Sequence, residues 1–180
     1  MKLRNLCLAG TFATALLFTA CQKDDNNTSN DETVNAQDSS YAIQVSQSNR
    51  SEIELGNLAL AQANDTSVRA FAQKMIDEHT TAQKDLKDLA NDIDLNVNLD
   101  DSLSADQVAL RNLLSGLTGA AFDKAYITGQ IAGHQKTLTV FDAEISGGAN
   151  QKMKQYATDK RPDIQNHLNM ADSINANLNE

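Results

Sequence analysis

The chain has 180 residues, carries 15 Lys and Arg against 24 Asp and Glu for a net charge of -9, and holds two cysteines, one proline and no tryptophan. That balance argues against nucleic-acid binding, which depends on basic groups to neutralise phosphates. It also supplies no polybasic patch for an anionic lipid surface.

At the N-terminus, Lys2 and Arg4 precede an uncharged, largely apolar stretch from Leu6 to Phe18. At about a dozen residues it is shorter than the roughly 20 needed to span a bilayer as a helix, and it fits the apolar core of a secretory signal. The boundary Phe18-Thr19-Ala20-Cys21 resembles a bacterial lipobox, with small residues before a cysteine, although Phe18 replaces the usual aliphatic residue. Residues 1–20 are therefore expected to be a lipoprotein signal peptide and Cys21 the lipid-modified first residue. Because Cys7 leaves with the signal and Cys21 is acylated, no disulfide is expected. Loss of Lys2 and Arg4 shifts the charge to about -11, so the acyl chains alone must hold the membrane.

Residues 21–40 begin Cys21-Gln22-Lys23-Asp24-Asp25-Asn26-Asn27 and contain almost nothing to bury, which predicts a disordered acidic tether. Gln22 is not the aspartate that retains lipoproteins in the inner membrane, so an outer-membrane anchor is expected. Gln22 to Asp25 resembles a surface-export signal, and both a periplasmic and a surface-exposed face remain open.

From Tyr41 onward the apolar spacing is helical throughout. A first helix is expected over about 41–63, with Val45, Asn49, Glu52, Gly56, Ala59 and Ala63 on one stripe. Asn64-Asp65-Thr66-Ser67 reads as a turn with capping residues for a second helix. That helix carries Val68, Phe71, Ala72, Met75, Ile76, His79, Ala82, Leu86, Leu89, Ala90 and Ile93 on its apolar face and Lys74, Asp77, Lys84, Asp85, Lys87 and Asp88 on its solvated face. The pattern then breaks over 94–119, where an extended connection and a short helix around Val108 to Leu117 are long enough to cross a bundle. A third long helix is expected over about 120–146, with Ile127, Ile131, His134, Leu138, Phe141 and Ile145 on one stripe and Phe122, Tyr126, Gly129 and Gly133 alongside. Gly129 and Gly133 on it suggest close helix packing, and Gly147-Gly148 a glycine C-cap. The last helix, about 150–178, holds Pro162, which should kink or restart it.

The fold class is thus all-α: a ferritin-like antiparallel four-helix bundle over residues 41–180, with a long crossover between its second and third long helices carrying a short extra helix. Glu52-Ile53-Glu54-Leu55-Gly56, the run from Val68 to Thr80 ending in Asp77-Glu78-His79-Thr80, Phe122-Asp123-Lys124-Ala125-Tyr126 leading to His134, and Pro162 with His167 together resemble the exported family called domain of unknown function 4142. The resemblance covers about residues 41–178. It implies a ferritin-like bundle in bacterial envelopes, often labelled an outer membrane protein, and no established activity.

All three histidines lie on apolar stripes of different helices. A single core histidine is usually a hydrogen-bonded packing residue, but three on separate helices invite a different reading. Counting outward from each turn brings Glu52, His79 and His134 to one height and leaves His167 four or five residues off, roughly 6 Å at helical rise. Glu52, His79, His134 and His167 would form a four-ligand set for one divalent ion such as zinc or iron. Asp163, four residues before His167, is expected to accept a hydrogen bond from its imidazole. Glu78 should point about 100° away from His79, toward solvent or a partner. The di-iron ferritin pattern is not matched, because Ile76, Ile131 and Ile164 occupy the positions where Glu-x-x-His would place its carboxylates.

With no phosphate loop, nucleophile elbow or free thiol, the leading expectation is a non-enzymatic, membrane-tethered envelope lipoprotein acting as a structural, stress-related or binding module, its protein partner undefined. The alternative is a metal-binding ferritin-like protein whose mid-bundle histidines hold one ion for storage or redox protection.

Overall fold

The computed structural model describes residues 33–99 and 102–179. The signal segment, Cys21 and most of the tether lie outside the described residues. Five helices follow in order: α1 Ala36–Gln62, α2 Thr66–Asp92, α3 Ala105–Ser115, α4 Gly119–Gly147 and α5 Gln151–Asn177.

Helix α1 starts five residues earlier than its apolar stripe suggests, so residues 36–40 belong to the folded domain and not to the tether. The cause is a capping box: the Asn35 side chain accepts from Asp38 N at 2.9 Å, and Asp38 Oδ2 accepts from Asn35 N at 2.6 Å. Asp38 is buried and also accepts from Ala149 N and Asn150 N, each at 3.1 Å, which locks the start of α1 to the α4–α5 turn. Helix α2 is capped by Asp65, as its turn sequence predicts, and α3 has its own capping box, Ser104 with Gln107.

Two buried carboxylates set the direction of the helices. Besides the contacts of Asp38, Asn35 Nδ2 donates to Gly147 O at 3.0 Å, so α1 begins where α4 ends. At the other end Asp123 accepts from Asn64 N and Asp65 N, each at 3.0 Å, so α1 ends where α4 begins. Helices α1 and α4 are therefore antiparallel neighbours, while α2 packs against α1 and α5. Since α2 and α4 run the same way, the chain between them must cross the length of the bundle, and α3 lies across α1 and α4 on the way. This is the expected ferritin-like connection.

Gly129 permits that crossing: a Cβ there would lie 2.8 Å from Leu110 Cδ2 of α3. Gly133 has no such role, since its nearest neighbour would be Glu52 Oε1 at 3.9 Å. Pro162 sits inside α5 without ending it. It is exposed, and Thr158, whose carbonyl loses its helical partner, is exposed as well, so solvent takes the freed group.

The Gly147-Gly148 turn also departs from expectation. Gly148 has φ -62, not the left-handed conformation of a glycine cap, and is needed because a Cβ would lie within van der Waals overlap of the Glu144 carboxyl. Glu144 is fully buried. Burial and the neighbouring Asp38 carboxylate push its carboxyl up to about 8. An unfolded glutamate titrates at 4.5, so between these values the folded chain keeps a proton that the unfolded chain has lost, and stability falls as pH rises through that window. Glu144→Gln is expected to be more stable than the wild type at pH 8 and to converge with it near pH 4, as read by urea unfolding at both pH values.

The apolar core is divided. One cluster, including Leu55, Phe71, Met75, Phe122, Tyr126 and Ile127, fills the end near the α1–α2 turn. Another, including Tyr41, Val45, Leu86, Phe141, Met153 and Ile164, fills the opposite end. Between them lies a layer of buried polar side chains, Asn49, Glu52, His79, Gln130, His134 and His167.

Candidate metal centre

Each helix of the bundle contributes to this layer at one height. His79 from α2, His134 from α4 and His167 from α5 are 3%, 2% and 2% exposed. Their ring centroids are 6.1, 5.3 and 5.4 Å apart in the three pairings. One ring nitrogen from each lies within 4.8 Å of the other two, so a common point exists within about 2.8 Å of all three, against zinc–nitrogen bonds of about 2.0–2.1 Å. A slight inward movement of the rings closes that gap.

The hydrogen bonds orient the rings. His79 Nδ1 meets Asn49 Oδ1 at 2.9 Å, His134 Nδ1 meets the Gln130 carbonyl at 2.8 Å, and His167 Nε2 meets Glu78 Oε2 at 2.6 Å. All three partners are acceptors, so these outward nitrogens carry the protons. The other nitrogens, His79 Nε2, His134 Nε2 and His167 Nδ1, have no hydrogen-bond partner and keep their lone pairs. An unsatisfied buried polar atom costs about 1–3 kcal/mol. Three lone pairs brought together in one buried layer between the two apolar clusters form a site for an electron-pair acceptor.

Electrostatics favour the neutral, binding form of His79 and His167. Burial pushes His79 well below its ordinary value, and the neighbouring His134 and His167 add to the effect. Burial also lowers His167, outweighing the opposing effect of the hydrogen bond it donates to Glu78. Neutral rings at neutral pH are what metal ligation requires.

Glu52 reaches the same layer from α1 but is not among the converging atoms. Burial raises its pKa, opposed by the adjacent His134 and a hydrogen bond from Gln130, and its Oε2 has no partner. The His167 offset is smaller than counting from Gly147-Gly148 suggests. The turn extends through Asn150, the N-cap of α5, so its centre lies nearer Ala149 and the mismatch shrinks to three residues, about 4.5 Å of rise.

The acceptor on His167 is Glu78, not Asp163, which is exposed. Glu78 does point away from His79, but toward the groove where α5 packs, and that brings it to His167. Burial raises Glu78, yet its hydrogen bonds from Lys74 and His167 prevail and hold it below the usual carboxylate range. Sequence reading also missed the roles of Asn49 and Gln130. Asn49 was visible as a polar residue on a buried stripe, and the Gln130 carbonyl is the i-4 acceptor available to any helical histidine.

No curated protein and no solved structure matches this chain. The family described as a domain of unknown function, DUF4142, matches residues 23–174. That span takes in α1 to α4, α5 as far as Ile174 and all of the polar layer, so the chain belongs to the DUF4142 family.

Proposed function

We propose that this protein is a membrane-anchored helical module that holds one divalent transition-metal ion, zinc or iron, at mid-bundle. The observation that carries the reading is the convergence of three buried imidazoles, each with its unpartnered nitrogen turned away from a fixed hydrogen-bond acceptor. His79, His134 and His167 supply the nitrogen donors. Glu52 supplies the carboxylate that balances the ion's charge from α1. Asn49, Gln130 and Glu78 hold the rings in the binding tautomer, as outer acceptors do around histidine-bound metals. The role is non-enzymatic: sequestration of one ion at the cell envelope.

Metal analysis of the protein after refolding with zinc, iron or manganese tests this reading. Close to one ion per chain is expected for the wild type, and less than a tenth of that for His79→Ala with His134→Ala. No stoichiometric metal in the wild type would overturn it.

The anchor belongs to the same proposal. Cys21 in its lipobox-like setting supports lipid attachment at the outer membrane, on either the periplasmic or the surface face. Cys21→Ala is expected to move the protein from the membrane to the soluble fraction on cell fractionation, and continued membrane retention would contradict the anchor.

A further inference from the structure

Two clefts flank the polar layer. One, of about 420 Å³, lies between α1, α3 and α4 and reaches Glu52; at its mouth Lys136 pairs with Asp106 at 3.3 Å, so the charges there cancel. The other, of about 330 Å³, lies between α2 and α5, the most loosely packed of the neighbouring pairs of long helices. His79 and His167 line this second cleft, each with a ring nitrogen that has no partner. Around them stand Asp77 and Glu78 from α2 and Asp163 from α5. Lys160 also lines the cleft, but Asp85 holds its ammonium at 3.3 Å, and Lys74 is paired with Glu78.

We infer that the α2–α5 cleft is the loading route for the ion, with Asp77 and Asp163 forming a capture site for a hydrated divalent cation before it passes to His167 and His79. The inference rests on the metal-binding reading above. Both carboxylates are exposed at the mouth, whereas the imidazoles are buried, which gives an ion successive ligands from water to oxygen to nitrogen. Negative charge at a cleft mouth raises the local cation concentration and the association rate. Glu78 stands at the junction of the two sets. Its Oε2 accepts from the outward nitrogen of His167, so it steadies that ring, while Lys74 balances its charge and leaves Asp77 and Asp163 to set the potential of the mouth.

The test is stopped-flow uptake of cobalt(II) by the metal-free full-length protein, followed by the visible absorption of the bound ion. Asp77→Asn with Asp163→Asn is expected to slow uptake about 3- to 10-fold at low ionic strength, with the difference shrinking as salt screens the mouth. The number of ions bound at saturation should stay the same. Gly133→Leu narrows the opposite cleft and should leave the uptake rate within about twofold of the wild type. An unchanged rate in the aspartate variant, or a slowed rate in Gly133→Leu with normal loading, would overturn the route while leaving the metal centre standing. A wild-type protein that takes up no ion would overturn both.

Discussion

Zinc is expected to raise the melting temperature of the wild-type protein by about 5–10 °C when its free concentration is about a hundredfold above the dissociation constant. Binding to the folded state alone contributes about 2.7 kcal/mol under that condition, and about 2–4 °C accompanies each kcal/mol in a chain of this size. His134→Ala should abolish the shift, because only two of the three converging imidazoles remain, Glu52 not being among the converging atoms, and the ring between Phe71, His79 and His167 is gone. Calorimetry with and without zinc reads the difference, so any change in the basal stability of the variant does not disturb the comparison. A variant that keeps the full shift would show that the ion binds elsewhere.

Phe71→Ala is expected to cost about 3–5 kcal/mol, a large share of the roughly 5–15 kcal/mol that stabilises a typical domain. Phe71 is 1% exposed and packs edge-on to Tyr126 and His134, with ring centroids 6.3 and 6.4 Å away. Its removal opens a cavity beside the imidazole of His134, so metal affinity should fall about tenfold or more, as it does when groups supporting a ligand are lost. Urea unfolding measures the first effect and metal titration of the folded fraction the second. Leu113→Ala is the control: Leu113 is 58% exposed, and its loss should stay within about 0.5 kcal/mol.

The helices were legible because their apolar spacing is regular and their turns carry strong signals. Asp65 caps α2 as Asn64-Asp65-Thr66-Ser67 suggests, and the loss of helical apolar spacing from Asp94 marks the crossover, where Asp94 at φ 51 closes α2 with Leu95 N donating to Ala90 O at 2.8 Å. The start of α1 was harder to see because residues 36–40 contain few apolar groups. The Asn35-x-x-Asp38 box that nucleates them is a polar signature at the end of a polar stretch. Counting residues from the turns brought Glu52, His79 and His134 to one height, since an antiparallel helical hairpin has a fixed rise per residue.

Partners across helices were less legible. Glu78 and His167 are 89 positions apart and meet because α5 packs beside the solvated edge of α2. Helical rotation about α2 alone shows where Glu78 points but not what waits there. Asp163 shares a face with His167 and was the natural choice within one helix, yet it remains exposed at the cleft mouth. Gly133 was similarly misread, since glycine spacing along α4 does not reveal that one glycine meets a crossing helix while the other borders a cleft.

The central claim is that His79, His134 and His167 bind one ion together, and anomalous diffraction from crystals of the zinc-loaded protein tests it most directly. The account predicts one anomalous peak per chain among the three rings, with His79 Nε2, His134 Nε2 and His167 Nδ1 each about 2.0–2.1 Å from it. Crystals grown with zinc that show no peak among the imidazoles, or that place zinc only at surface carboxylates, would contradict it.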